Sequence, residues 1–308
     1  MPRPDFPGNI LEFQRRFADE AVCLEYLAAS RWPDGYRCPA CGGDRAWVLA
    51  RRHLWQCVAC GHQASVTAGT VLHGTRTPLP LWFWAAYLVS TLTPGISALQ
   101  LQRQLGISRY ERAWTMLHKL RRAMVARERE SLKGEVEVDE FFLGGYEQGL
   151  RGGRQRGGKA LGAAAVEVRG AGSGRLRLSV VPDASAASLG GFVAAAVAPG
   201  TIVHTDGWAG YADLAGRGYE HRPRSQRANP DEQLLPRIHR AISNLKSWLR
   251  GTHRGVSGAH LQVYLDEYVF RFNRRGTPMA AFQTLLGLGS QHEPTTYRQI
   301  LARPERTG

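Results

Sequence analysis

Apolar and polar positions follow two different periods along this chain. In residues 95–124 the apolar positions recur at the spacing of amphipathic helices, and a Gly-containing turn divides the stretch into two. From residue 134 the sequence GEVEVDEFFLGG alternates Val136 and Val138 with acidic residues, which is the two-residue period of a half-buried strand. The two patterns predict a helical region followed by an α/β region.

The α/β region contains its predicted elements in a defined order. Two strand candidates, AAAVEV and RLRLSVV, precede a helix of small residues at 185–197 and the apolar strand of TIVHTDGWAGY, which ends in Asp206. Three antiparallel strands, a helix, a short strand with an acid and terminal helices are the plan of an RNase H-like domain. In that plan the first and fourth strands are neighbours, so we expect Asp139 and Asp206 to face each other across a small cavity.

The first strand places Glu135, Glu137 and Asp139 on one face. Acids are depleted in strands and these three would repel each other, so they are either solvated or compensated by a cation. Aspartate oxygens are hard ligands that suit Mg²⁺ or Mn²⁺. Two such ions activate water or a 3′ hydroxyl and stabilise the leaving oxygen in phosphodiester chemistry. We interpret Asp139 and Asp206 as ligands of a two-ion catalytic site, with a solvated strand acid as the alternative for Asp139.

The helical region has the pattern of a helix-turn-helix. Ser108 is a plausible N-cap of the second helix, with Glu111 completing a capping box. That helix is expected to bury Ala113, Trp114, Leu117 and Leu120 and to expose a basic face of Arg109, Arg112, His118, Lys119, Arg121 and Arg122. The turn and the basic face favour contact with DNA, although an ordinary helical pair has the same pattern.

Four of the cysteines form two C-x-x-C pairs, Cys38 with Cys41 and Cys57 with Cys60, separated by fifteen residues. This spacing is typical of a tetrahedral zinc site in a small ribbon. Disulfides are the alternative, but a reducing cytosol disfavours them. We therefore predict one structural zinc ion, and we expect Cys23 to be a buried small hydrophobe.

The charge of the chain favours a polyanionic partner. Forty basic and 26 acidic side chains give a formal net charge of +14. A Gly- and Arg-rich loop, YEQGLRGGRQRGGKALG, contains Lys159. That loop, with Arg151, Arg154 and Arg156, suits close approach to a phosphate backbone. No signal peptide is visible and the apolar stretch at 79–92 is too short to span a bilayer, so we expect a cytoplasmic, nucleoid-associated protein without membrane contact.

Several segments, in this order, resemble one family of bacterial insertion-sequence transposases, the family named fifteen-ninety-five after its type element. They are SRWPDGYRCPACGG, CVACG, VTAGTVLHGTRTPLPLW, GISALQLQRQLGISRYERAWTMLHKLR, VEVDEFFLGG, HTDGWAGY and HRAISNLKSWLRGTHRGVSGAHLQVYLDEYVFRFNRR, and together they cover nearly the whole chain. The resemblance implies an N-terminal zinc ribbon joined to an RNase H-like DDE domain. It also implies transposition, by a cut-and-paste or replicative route, of DNA that carries terminal inverted repeats, with Mg²⁺ or Mn²⁺ as cofactor. We expect a homo-oligomer on double-stranded DNA.

The same resemblance implies the catalytic residues Asp139, Asp206 and a third position on the next helix, seven residues before a lysine. Counting back from Lys246 gives His239, so the chain departs from the DDE pattern at this position. His239, Ser243 and Lys246 fall on one helical face, and Lys246 would contact a DNA phosphate. Glu267 is the carboxylate alternative, although its apolar neighbours indicate a packed helix in which it could pair with Arg271. Asn244 is a weaker candidate because it points to another helical face than Lys246.

The predicted domains are a helix and zinc ribbon at 1–67, a helix-turn-helix-like segment at 68–130, an α/β catalytic domain at 131–290 and a tail at 291–308. The expected activity is binding of terminal inverted repeats, strand cleavage and joining of 3′ ends to target DNA. Two alternatives share these motifs: a catalytically silent DNA-binding regulator and an RNase H-like nuclease or resolvase.

Overall fold

The N-terminal half of the chain folds as helices around an aromatic core, with a small three-stranded ribbon. The computed structural model describes residues 5–126, 129–144, 159–224 and 234–302. Contacts between Cα atoms divide the chain into two compact units. The first unit combines Met1–Ala126 with Arg274–Gly308, and the second is Arg127–Asn273.

The helices of the described residues are α1 (Ile10–Arg16), α2 (Glu20–Arg31), α3 (Leu79–Thr91), α4 (Ala98–Gln104), α5 (Tyr110–Ala123), α6 (Ala186–Ala196), α7 (Pro236–Trp248), α8 (Leu261–Phe272), α9 (Pro278–Gln291) and α10 (Tyr297–Leu301). The strands are β1 (Ala46–Leu49), β2 (Leu54–Cys57), β3 (Gln63–Ala64), β4 (Glu135–Leu143), β5 (Ala160–Arg169), β6 (Gly172–Val181), β7 (Ile202–Thr205) and β8 (Glu220–Pro223). Within the described residues, no helix is both long enough and apolar enough to cross a membrane.

The second unit ends at Asn273, before the domain boundary that the sequence predicts at residue 290. The chain leaves the second unit at Asn273, and α9 packs on α2, α3 and α5 of the first unit. Phe282 of α9 is buried, with ring centroids 5.4 Å from Phe13 and 5.7 Å from Phe17. The apolar face of α9 is thus part of the aromatic core, and the segment after it, predicted as a tail, forms α10.

The predicted basic face of α5 is partly wrong, because His118 and Arg121 are both buried with 1% exposure. Arg122 is half-buried, and its guanidinium donates to the Thr295 hydroxyl and the Gln299 carbonyl, each at 3.2 Å. The C-terminal segment covers this side of the helix, which local periodicity does not reveal. Arg109 and Arg112 remain exposed.

The start of α5 also differs from the prediction. The helix begins at Tyr110 with Arg109 as its N-cap residue, so Ser108 does not cap it. The helix pair itself forms as predicted, with Gly106 in the turn at a φ of +62° that glycine adopts without steric cost. The role of this pair in DNA binding stays a prediction.

The second unit is a five-stranded mixed sheet in the order β6-β5-β4-β7-β8. The first three strands in sequence pair antiparallel, and β4 pairs parallel with β7, as the sequence predicts. One face packs with α6, and the other packs with α7 and α8. The sequence did not reveal β8, because its four residues, EHRP, are too short and polar to show a strand period.

Candidate functional site

The four predicted zinc ligands come together at the ribbon. The Sγ atoms of Cys38 and Cys60 lie 3.7 Å apart, and those of Cys41 and Cys57 lie 3.6 Å apart. Four sulfurs at Zn–S distances of about 2.3 Å form a tetrahedron with edges of about 3.8 Å. The thiols therefore have the spacing of a tetrahedral zinc site, and each offers one ligand atom to the same group.

The two cysteine pairs sit on matching backbone turns. The Gly42 N–H donates to the Cys38 carbonyl at 2.9 Å, and the Gly61 N–H donates to the Cys57 carbonyl at 3.0 Å. Both glycines have positive φ, +75° and +70°, which side chains with a Cβ rarely adopt. The glycine after each C-x-x-C pair thus allows the turn that brings the two sulfurs together.

Electrostatics within the thiol cluster favour a bound cation. The Gly43 N–H lowers the pKa of the Cys41 thiol, but hydrogen bonds with the thiols of Cys60, Cys57 and Cys38 raise it to about 12. Thiols this close cannot all ionise unless a positive charge compensates them. Zn²⁺ supplies that charge, so the residues present fit the ion.

The second group that could hold a metal is acidic and lies in the other unit. Among the described residues, Asp139, Glu140 and Asp206 are the carboxylates whose ligand oxygens all lie within 4.8 Å of one another. The parallel pairing of β4 with β7 matches Glu137 with His204. Each aspartate follows two residues later, Asp139 within β4 and Asp206 directly after the end of β7. The predicted meeting of Asp139 and Asp206 therefore takes place.

Glu140 is the member of this group that the sequence did not single out. Strand alternation places it on the opposite face of β4 from Asp139, which is why periodicity gave no reason to join them. Its Oε2 accepts a hydrogen bond of 2.9 Å from the Tyr211 hydroxyl. Burial and the nearby Glu140 carboxylate raise the pKa of Tyr211 far above its usual value, so the phenol stays a donor.

The other acids of β4 have their own basic partners. His204 Nε2 lies 2.7 Å from a Glu135 carboxylate oxygen, and Arg237 Nη1 lies 3.0 Å from Glu137 Oε1. His239 Nε2 lies 3.2 Å from Asp139 Oδ2. Each acid on this face of the strand therefore has a positively charged or chargeable side chain beside it.

His239 lies beside Asp139, although it is not a member of the acidic group whose ligand atoms all lie within 4.8 Å of one another in the described residues. Two ligand atoms in adjacent positions of an octahedral ion, at about 2.1 Å from it, lie about 3 Å apart. The separation of 3.2 Å between His239 Nε2 and Asp139 Oδ2 agrees with that spacing. The hydrogen bond to Asp139 raises the pKa of His239, so protons compete with a metal ion for the imidazole more strongly than at a free histidine.

Helix α7 also brings Ser243 and Lys246 to the same cavity. The cavity measures about 640 Å³, and Asp139, Glu140, His239, Ser243 and Lys246 are among its lining residues. Burial lowers the pKa of Lys246, and the nearby Asp139 raises it. The three residues predicted on one face of the helix therefore share the cavity with Asp139 and Glu140.

A second cavity of about 620 Å³ shares Lys246 and Arg250 with the first. Lys159 and Arg254 add two further cations to its lining. The predicted basic loop is represented here by Lys159, since Arg151, Arg154 and Arg156 lie outside the described residues. The shared cations make a basic surface continuous with the acidic group.

Glu267, the alternative third ligand, is fully buried on α8. Its Oε1 lies 3.8 Å from Arg271 Nη1. Like His239, Glu267 is not among the residues of the two metal-binding groups found in the described part of the chain. Its position agrees with a residue of the packed interior rather than with a ligand at the cavity.

Family models match both parts of the chain. The transposase zinc-ribbon domain matches residues 18–63, and the ISXO2-like transposase domain matches residues 131–273. Both models carry the name of insertion-sequence family IS1595, and together they match more than half of the chain. The chain belongs to this transposase family. A curated relative agrees with this: an uncharacterised protein in transposable element ISH50 of Halobacterium salinarum is 26% identical over 282 residues, which cover 83% of this chain and 92% of the relative.

Membership of the transposase family gives the two sites their context. The zinc-ribbon match includes all four clustered cysteines, and the transposase-domain match includes Asp139, Glu140, Asp206 and the whole of α7. The predicted α/β fold with a zinc ribbon and a DDE-type domain is confirmed. The roles of the individual site residues stay predictions.

Proposed function

We propose that this transposase binds the terminal inverted repeats of its own insertion sequence, cleaves DNA strands there and joins the 3′ ends to target DNA. The observation that carries the proposal is the meeting of Asp139 and Glu140 of β4 with Asp206, which directly follows the parallel strand β7. Three carboxylates this close need a counter-charge, which divalent cations provide. We place the activity in the cytoplasm, on nucleoid DNA, with a homo-oligomer as the acting form.

In this proposal Asp139, Asp206 and His239 hold Mg²⁺ or Mn²⁺. Two bound ions would activate water or a 3′ hydroxyl and stabilise the leaving oxygen. Glu140 adds charge to the same group, and Tyr211 holds its carboxylate by the hydrogen bond of 2.9 Å. Lys246 lies beside the acids and can pair with a DNA phosphate.

The experiment that tests this function is cleavage of DNA carrying the ends of the element, with Mg²⁺ or Mn²⁺ as the added ion. We expect no cleavage without a divalent ion, and cleavage at the ends of the inverted repeats when either ion is added. A protein that binds the ends but never cuts them would be the silent regulator. Cleavage without any dependence on the end sequence would indicate a general nuclease.

The choice between His239 and Glu267 predicts opposite results for two variants. His239→Ala should lower the cleavage rate by about 100-fold or more, because removal of even an outer-shell partner of a metal ligand costs about 10–100-fold. Glu267→Gln should lower the melting temperature while leaving the cleavage rate of the folded protein unchanged, since Glu267 is buried beside Arg271. Parallel cleavage assays at a temperature where both variants are folded make the comparison.

The reverse outcome, an inactive Glu267→Gln with a normal His239→Ala, would make Glu267 the ligand. Imidazole is a softer ligand than carboxylate, so wild-type protein should cleave faster with Mn²⁺ than with Mg²⁺. His239→Glu should retain part of the activity and shift its preference towards Mg²⁺. An unchanged ion preference in that variant would remove His239 from the metal site.

The basic surface next to the acids predicts a specific change in salt dependence. Lys246→Ala should weaken DNA binding and reduce the slope of log affinity against log salt by about 0.9, the contribution of one phosphate contact. The control is Arg169→Ala, which removes the same charge from an exposed side chain at the end of β5. Binding measured at several salt concentrations should show an unchanged slope for this control. An equal change in both variants would mean that net charge alone, not this surface, sets the affinity.

A further inference from the structure

The N-terminus of α7 lacks the local cap that its own sequence would be expected to provide. The N-cap residue is Leu235, whose apolar side chain accepts no hydrogen bond. Its φ of +48° lies in the left-handed region, which is unusual for a residue other than glycine. The first backbone N–H groups of a helix need partners, and they are costly to bury without them.

Glu137 of β4 supplies those partners from a distant part of the chain. Its Oε2 accepts hydrogen bonds of 2.8 Å from the backbone N–H groups of Arg237 and Ile238. Its Oε1 accepts a hydrogen bond of 3.0 Å from Arg237 Nη1. Because Glu137 is only 4% exposed, this contact between a carboxylate and a helix N-terminus is shielded from water.

Strand β4 and helix α7 have a second contact, which joins Asp139 to His239. Asp139 follows Glu137 by two residues on the same face of β4, and His239 directly follows the capped Ile238 on α7. At this second contact His239 Nε2 lies 3.2 Å from Asp139 Oδ2. A shift or rotation of α7 that breaks the cap would therefore also move His239 away from Asp139.

Arg237 also connects the N-terminus of α7 to the turn between β5 and β6. Its Nε donates to the Gly172 carbonyl at 3.0 Å, and its Nη2 donates to the Gly170 carbonyl, both at the turn between β5 and β6. The N-terminus of α7 is thus held to β4 by Glu137 and to the β5–β6 turn by Arg237.

We propose that Glu137 is a positioning residue of the catalytic site: it holds the N-terminus of α7 so that the His239 imidazole meets Asp139 at metal-ligand spacing. The inference rests on the proposed role of His239. Glu137 acts through this helix and touches neither ion nor DNA. Both oxygens of its carboxylate accept hydrogen bonds, from the two backbone amides and from the guanidinium of Arg237. Glu137 is therefore not a member of the acidic group that could hold a cation.

The first test is a double-mutant cycle on cleavage. Glu137→Gln should slow Mn²⁺-dependent cleavage by about 10- to 100-fold, the usual effect of losing a residue that orients a metal ligand. If Glu137 acts through His239, the same substitution in a His239→Ala background should cause little further loss. Losses that multiply in the double variant would show independent effects and would overturn the proposal.

The matched control is Glu167→Gln. Glu167 is a buried carboxylate of the neighbouring strand, 3% exposed, which accepts from the Arg175 backbone N–H at 3.0 Å and pairs with its guanidinium. This variant should lose thermal stability as Glu137→Gln does, but it should keep its cleavage rate once folded. An equal loss of cleavage in both variants would mean that general destabilisation explains the effect.

A second readout needs neither DNA nor cleavage. With Mn²⁺ as the probe, pulsed electron paramagnetic resonance should detect the nitrogen of His239 at the ion in wild-type protein and in Glu167→Gln. The nitrogen signal should be lost or weakened in Glu137→Gln, and a full signal in that variant would refute the positioning role. A wild-type protein with the nitrogen signal but no cleavage would refute the proposed function while leaving this inference standing.

If Glu137→Gln does not fold, Glu137→Asp decides the question, because the shorter side chain keeps the charge but cannot hold the two backbone amides in the same position. This variant should weaken the nitrogen signal and speed hydrogen exchange at the amides of residues 237 and 238. Fast exchange at these amides in wild-type protein would overturn the proposal.

Discussion

Replacement of Asp139 or Asp206 by asparagine should abolish DNA cleavage. The side chain keeps its size, but each substitution removes one negative charge from a group whose ligand oxygens lie within 4.8 Å of one another. We expect the rate to fall by more than about 1,000-fold, since the loss of residues that merely orient metal ligands already costs about 10–100-fold. The measurement is single-turnover cleavage of end DNA with saturating Mg²⁺ or Mn²⁺.

The control for these variants is Glu135→Gln on the same strand. Glu135 pairs with His204 and does not belong to the acidic group, so its loss should change the rate little. DNA binding should persist in both aspartate variants, because removal of a negative charge does not weaken attraction to phosphates. A cleavage rate within tenfold of wild type in either variant would show that the metal, if bound, is held elsewhere.

Loss of the zinc ion should have the second largest effect, through the fold of the ribbon. Its three strands contain few residues and their core is small, so metal binding has to supply much of the folding free energy. Structural zinc contributes apparent binding free energies of about 10–16 kcal/mol in small zinc-binding peptides. Cys57→Ser removes a buried ligand and should leave the ribbon unfolded.

Metal analysis and DNA binding test this prediction together. Wild-type protein should contain about one zinc ion per chain and Cys57→Ser less than about 0.1, with weaker binding to the element ends. Cys23→Ala is the control, because Cys23 is buried in α2 and lies outside the thiol cluster. Freshly purified wild-type protein without zinc would contradict the assignment, and loss of zinc from the Cys23 variant would show that the ion is bound elsewhere.

Sequence patterns predicted those parts of the site that are determined by residues close together in the chain. The alternation around Val136 and Val138 located β4, and an apolar run before Asp206 located β7. The order of elements then implied that these two strands are neighbours, which the parallel pairing confirms. The spacing of the cysteine pairs likewise depends on short turns that the sequence specifies directly.

What the sequence did not reveal depends on contacts between distant segments. Arg122 is half-buried on α5 because its guanidinium contacts Thr295 and Gln299, which lie far along the chain in the same unit. Helix α9 likewise packs on α2, α3 and α5 of that unit. Glu140 joins Asp139 from the opposite side of a strand, where periodicity separates them. The cap of α7 by Glu137 spans a hundred residues, so no local signal at Leu235 could indicate it.

Strand transfer tests the proposed activity of this transposase most directly. Labelled DNA ending in the terminal repeat of the element, an unlabelled target plasmid, the protein and Mn²⁺ are incubated together, and the products are sequenced across their junctions. We predict labelled 3′ ends joined covalently to target DNA by wild-type protein, and none by Asp139→Asn or Asp206→Asn. Cleaved ends that never join the target, or joining that survives the loss of either aspartate, would contradict this prediction.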